Sequence, residues 1–212
     1  MPDRNVDSKL LVARGYDRIA EGLYLRQQQT PPSGVKRAYL DRMTEELQPG
    51  ARILDLGCGA GVPSTEYLSE RFDVVGVDIS RGQLALARRY VPEATFLLAD
   101  MCSLAFKPLS FDAIVAFYSI IHIPRGEHEP LMGHLFDWLC PGGRLLAVMG
   151  QADWEGRESD WLGLGAEMYW SHFDAATSLA MVEQAGFRPL LFKVEPDPFD
   201  GGHLFVLAEK PS

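Results

Sequence analysis

The chain has 212 residues, 47% hydrophobic and 23% charged, enough for the core of one α/β domain without disulfide or metal staples. A formal net charge of −9 argues against a broad phosphate-binding face, and with it against DNA or RNA as the main partner. Cys58, Cys102 and Cys140 lie far apart, the N-terminus lacks an apolar leader core, and no apolar run is long enough to span a bilayer. A reducing, cytoplasmic setting without membrane contact is the expectation.

In chain order, residues 9–28 carry a loose apolar stripe of helical period that includes Leu11, Ile19 and Leu23. The segment from Thr30 to Gly34 breaks it, and a second helix is predicted from Val35 to Leu47. Strand Arg52–Leu56 follows a Pro49-Gly50 turn. Next come a helix over Pro63–Arg71, a β-branched strand over Asp73–Asp78, and a helix over Ser80–Tyr90. Ser80 and Gln83 match a capping box. Strands Ala94–Leu98 and Phe111–Phe117 precede a helix bearing Leu131, Leu135, Trp138 and Leu139, with His128 and His134 on its surface. Pro141-Gly142-Gly143 launches a fifth strand, Arg144–Met149. Gly150–Phe173 reads as one long irregular stretch with three tryptophans. Asp174 caps a helix to Gln184 that Gly186 closes, and Arg188–Glu195 and His203–Glu209 form a closing hairpin. Strands alternating with helices predict a Rossmann-like α/β fold: a doubly wound, mostly parallel seven-stranded sheet with an antiparallel C-terminal hairpin.

The chemistry concentrates where the first strand meets its turn. Asp55, Gly57, Gly59 and Gly61 form D-x-G-x-G-x-G, and a helix begins just beyond. Alternate glycines let the backbone pass close to a ligand, and the helix start offers unpaired N–H groups. Val62 stands where a dinucleotide fingerprint needs glycine, and the Asp55 carboxylate would repel a pyrophosphate but suit an ammonium group. Asp78 closes the second strand about twenty residues on, where a carboxylate takes both hydroxyls of a ribose. Cys58, between two glycines, reads as a small apolar filler.

This combination resembles motif I and its sequel in the class I S-adenosylmethionine-dependent methyltransferases, over residues 51–150 and more loosely at both ends. The resemblance implies S-adenosyl-L-methionine as cofactor, its methionine part wrapped by the glycine turn and its ribose on Asp78, beside Ile79. It implies the adenine amino group on Asp100 and a ring nitrogen at Met101, with Gln83 either capping Ser80 or lying against the adenine. It places the segment from Phe117 and Tyr118 through Ser119 to His122 opposite the methyl group. There His122 reads either as a general base or as a structural histidine before Pro124. The Tyr-Asp-Arg-Ile-Ala stretch from Tyr16, with Tyr24 one position late, resembles a helix that folds over the cofactor. His172 is a second candidate base, within an aromatic run from Met168 to Phe173 that would cover the acceptor.

The resemblance therefore implies a single methyltransferase domain over 1–212. Residues 1–48 form a helical lid, 49–150 the cofactor core, 151–173 a substrate-side linker, and 174–212 a helix and hairpin. The expected acceptor is a small molecule, its nature and reacting atom open. A nicotinamide oxidoreductase, a nucleic-acid methyltransferase and a non-catalytic cofactor-binding protein are the rivals. No His/Asp/Glu cluster has metal-ligand spacing.

Overall fold

The computed structural model describes residues 8–29, 34–196 and 201–212. The breaker at 30–33 and most of the linker between the last two strands lie outside them. Two helices lead, α1 (Ser8–Gln29) and α2 (Gly34–Thr44). Then follow β1 (Arg52–Leu56), α3 (Ser64–Ser69), β2 (Asp73–Asp78), α4 (Arg81–Tyr90), β3 (Thr95–Leu98) and β4 (Phe111–Ala116). The second half holds α5 (His128–Trp138), β5 (Leu139–Gly150), β6 (Trp154–Glu158), β7 (Met168–His172), α6 (Ala175–Gln184), β8 (Arg188–Glu195) and β9 (His203–Glu209). Seven strands form one sheet in the order β3-β2-β1-β4-β5-β9-β8. It is parallel through β5, and β9 runs antiparallel between β5 and β8.

Alternation along the strands builds two cores, one on each face of the sheet. Leu54 and Ile114 face Leu131, Leu135 and Val182 of α5 and α6, while Ile53 and Val115 face Leu40, Met43 and Leu68 of α2 and α3. Strand β1 is buried beyond Arg52 and β4 throughout except for the half-buried Asp112, as a central parallel pair requires. Truncating Ile114 to Ala would leave a cavity costing about 2–5 kcal/mol. The chain turns to opposite sides after β1 and after β4, so the gap at their C-terminal ends is the switch point where such sheets take ligands.

Helix α1 lies across those strand ends, seated by two close approaches. A Cβ on Gly15 would come 2.9 Å from the Glu167 carbonyl at β7, and one on Gly82 of α4 would come 3.1 Å from the Asp17 carbonyl. Ile19 packs on Ala166 and Met168, and Ala20 on Ala60 and Leu86. Among the described residues no helix is long and apolar enough to cross a membrane.

Four sequence expectations need correction. Residues 150–173 are not one irregular stretch, because β6 and β7 pair antiparallel as a separate two-stranded sheet, Trp154 opposite His172. Strand β5 starts at Leu139, since Leu139 already pairs with Phe111 and the Pro-Gly-Gly turn is absorbed as a register shift. Helix α2 ends at Thr44, whose hydroxyl bonds back to the Leu40 carbonyl, a local competitor to further helix. His128 is buried rather than on the surface, with Nε2 bonded to the Ile123 carbonyl at 3.0 Å; His134 is exposed as expected.

Candidate cofactor and methyl-acceptor site

A cavity of about 910 Å³ opens at the switch point under α1. Its floor is the glycine turn. Gly57, Gly59 and Gly61 have φ of +74°, +56° and +77°, and the Gly57 and Cys58 N–H groups both donate to the Val77 carbonyl, which ties the turn to β2. A Cβ on Gly57 would fall inside the Ser119 side chain, so glycine is obligatory there. Gly61 plays a different part: it is not in the cavity wall, and a Cβ on it would meet Val91 at 3.0 Å and Ala87 at 3.5 Å on the α4 side. Burial pushes the Cys58 thiol well up, in keeping with an inert filler.

Two buried carboxylates face this turn. Asp78 accepts the Gly59 N–H and the Ser80 N–H, each at 2.8 Å, which fixes its plane at the cavity. Asp55 accepts the Thr65 hydroxyl at 2.7 Å. Burial pushes each up to about 6, further raised in Asp78 by Asp17 and opposed in Asp55 by Thr65 and Lys36. Lys36 of α2, which no sequence motif singled out, therefore brings a positive charge near Asp55 and lines the same cavity.

The capping box forms only in half. Ser80 Oγ accepts the Gln83 N–H at 3.1 Å, but the Ser80 N–H goes to Asp78, not to the Gln83 side chain. The freed Gln83 amide is buried beside Gly59 in the cavity wall, and its Nε2 has no partner among the described residues. Asp100 and Met101 line the cavity at the end of β3. Asp100 pairs with Lys9 of α1 at 2.6 Å and caps the following turn through the Cys102 N–H. Burial works against the Asp100 charge, but Lys9 outweighs it and holds the carboxyl below its usual range. Lys9 also pairs with Glu127.

At the other end of the cavity His122 sits 5% exposed between two elements. Its Nδ1 donates to the Tyr169 carbonyl at 2.8 Å, which fixes the tautomer and leaves Nε2 as the basic nitrogen. The Tyr16 hydroxyl donates to Nε2 at 2.8 Å. Burial pulls His122 down to about 4 and pushes the Tyr16 phenol well up. Trp170 lies over the imidazole at 4.3 Å, and Trp161 meets Tyr16 edge-on.

Tyr118 holds a strained φ of +54°, its ring edge-on to His203 at 4.8 Å with the Lys36 ammonium 4.5 Å from the ring centre. Phe117, Ile79 and Tyr24 also line the cavity, with Tyr24 stacked on Tyr90. His172 does not line it. That ring packs where a Gly150 side chain would be and bonds to the Ala152 carbonyl at 2.7 Å. Phe173 likewise turns into the main core.

His203 is a cavity residue that sequence reasoning left unassigned. Its signal was the antiparallel last strand, whose pairing sets His203 opposite Gly150 at the end of β5. Among the described residues no three His, Cys, Asp or Glu side chains gather as metal ligands. The cavity fits S-adenosylmethionine in kind: a glycine cradle that a Cβ would fill, a fixed carboxylate for a diol, and paired charges near the turn for an amino-acid end.

Residues 53–143 match the methyltransferase domain family. A trans-aconitate 2-methyltransferase of Variovorax paradoxus is 42% identical over 106 residues, 49% of this chain and 40% of that protein. A demethylmenaquinone methyltransferase of Beutenbergia cavernae is 33% identical over 140 residues, 65% of this chain and 54% of that one. The chain thus spans about half or less of these relatives' length. The structure of the cyclase SpnF superposes with a TM-score of 0.72 over 94% of each chain at 19% identity, a likeness of fold alone. The family match runs from β1 and the glycine turn into β5, and over that span the chain carries a methyltransferase domain similar to those of S-adenosylmethionine-dependent methyltransferases.

Proposed function

We propose that the chain transfers a methyl group from S-adenosylmethionine to a small molecule. The acceptor would be held between the Tyr16–His122 pair and the aromatic wall of Tyr118, Trp161 and Trp170. One observation carries this reading: the glycine turn, Asp78 and His122 share a single cavity at the switch point of the sheet. The cofactor supplies a methyl already activated on a sulfonium, so alignment and exclusion of water are the protein's main tasks. In this reading Asp78 takes the ribose, and Asp55 with Lys36 takes the ammonium and carboxylate of the amino-acid end. The Gln83 Nε2, without a partner among the described residues, would be a donor for the adenosine side.

The acceptor half offers a weak base. His122 stays neutral at any pH well above 4, and Tyr16 already occupies its basic nitrogen. A proton from the acceptor would pass to the Tyr16 oxygen as the phenol's own proton moves to His122 Nε2. So weak a relay suits an acceptor that arrives ionised, such as a carboxylate, or one with an acidic proton. The relative named for trans-aconitate, itself an acid, agrees with that class.

The test is transfer of labelled methyl from S-adenosylmethionine to panels of small carboxylic acids, phenols and amines. Turnover is expected with the acids or phenols. For a phenol, Tyr16→Phe and His122→Asn should each lower kcat by roughly 10²-fold, and for a carboxylate far less. Tight cofactor binding with no turnover on any panel would favour a non-catalytic cofactor-binding protein instead.

A further inference from the structure

A second cavity, of about 310 Å³, lies on the outer side of α1, in its seam with the β6–β7 hairpin. Three arginines reach it from two elements, Arg14 and Arg18 from successive turns of α1 and Arg157 from β6. Arg157 has a loose partner in Glu167, at 3.9 Å, and Glu167 is the one acid in the cavity wall. The Arg14 and Arg18 side chains make no ion pair or hydrogen bond with any described residue. The Arg18 guanidinium lies against Gly165, whose φ of +78° sets the turn beneath it; a Cβ there would come 3.6 Å from Nη2.

Like charges one helical turn apart repel each other, and a third guanidinium in the same hollow adds to that. The seam does not need them for packing, since Gly15 and Ile19 already seat α1 on the hairpin. A concentration of positive charge on a chain of net charge −9 is a local departure that calls for a counter-charge.

We propose that this seam binds the phosphoryl group of a small molecule, at a site separate from the methyl-transfer cavity. Each guanidinium presents a planar fork of donors, and three forks match the three terminal oxygens and near-double charge of a phosphoryl group. A carboxylate offers two oxygens and a single charge. Bound there, the phosphoryl group ties α1 to the hairpin that carries Tyr169 and Trp170. It thereby fastens the cover of the neighbouring cavity.

Pyrophosphate is the probe, titrated calorimetrically into the whole chain at low salt, with and without S-adenosylhomocysteine. One-to-one binding that persists with S-adenosylhomocysteine present is expected. Arg14→Gln and Arg18→Gln should each weaken it at least about tenfold, as loss of charge-assisted hydrogen bonds does. Glu167→Gln should strengthen it by removing the one acid, and Asp78→Asn should leave it unchanged. In hydrogen exchange, pyrophosphate alone should slow residues 8–29. No binding, binding indifferent to both arginine substitutions, or displacement by S-adenosylhomocysteine would overturn the proposal. Citrate binding as tightly as pyrophosphate would overturn the phosphoryl assignment.

Discussion

Asp78 is held by two backbone N–H groups in a buried site that raises its carboxyl to about 6, and Asp55 is raised to about the same point. Both are thus protonated more readily than free carboxylates, and both lose the charge that a ribose diol or an ammonium group needs. Affinity for S-adenosylhomocysteine should be flat above pH 7 and fall as pH drops through about 6, which calorimetry from pH 5 to 8 would read. His122 adds nothing in that window with the opposite sign for the cofactor, because it is neutral throughout it. The same shifts act on stability in opposing directions. Raised carboxylates stabilise the fold most below 3.8 and lose that contribution as pH rises through 6. The lowered His122 gives a contribution that is present above its ordinary 6.5 and lost as pH falls toward 4. A second residue-level test is Gly57→Ala. Its φ of +74° and the overlap with Ser119 leave no room for a methyl group, so a stability loss of about 1–3 kcal/mol in denaturant titration is expected. An unchanged midpoint would show that the turn relaxes more easily than the structure implies.

At the scale of elements, the apolar strands bounded by turn residues were legible from sequence: β1, β2, β8 and β9 fall where composition places them. The hairpin β6–β7 was not. Its strands mix Trp, Glu, Arg, Ser and His without alternation, and its connection contains Asp160 and Leu162 at φ of +56° and +57°, conformations no composition rule anticipates. The site divided along the same line. The motif residues of β1 and β2 and the segment after β4 were readable as neighbours because strand, turn and cavity wall are contiguous in the chain. Lys36 and His203 were not, because they enter the cavity through packing of α2 and pairing of β9, contacts made across long stretches of chain. His172 lies outside the cavity although it shares a face of β7 with Trp170, which lines it: the imidazole packs over Gly150 and is held by the Ala152 carbonyl, while the Tyr169 carbonyl fixes His122. Helix α1 is the element expected to cover the cavity. It touches the cavity through Lys9, Tyr16 and Tyr24, and Lys9 pairs with Asp100. Hydrogen exchange in residues 8–29 should slow when S-adenosylhomocysteine binds. Equal exchange in both states would show that α1 is a fixed wall rather than a cover.

For the whole molecule, a doubly wound sheet with its glycine turn at the switch point is a scaffold that many chemistries share, so the fold by itself leaves the reaction open. What narrows it is the set of groups around one cavity: a carboxylate fixed by two backbone N–H groups, a second carboxylate with a lysine charge nearby, and a shielded histidine–tyrosine pair opposite them. Titration calorimetry of the chain and its Asp78→Ala variant with S-adenosylhomocysteine, against NAD as control, tests that set most directly. One-to-one binding to the unaltered chain is expected, with no measurable NAD binding. The variant should lose more than about tenfold in affinity, since hydrogen bonds to a charged group contribute about 1.5–3 kcal/mol each. Equal affinity in the variant, or a preference for NAD, would contradict the assignment of this cavity.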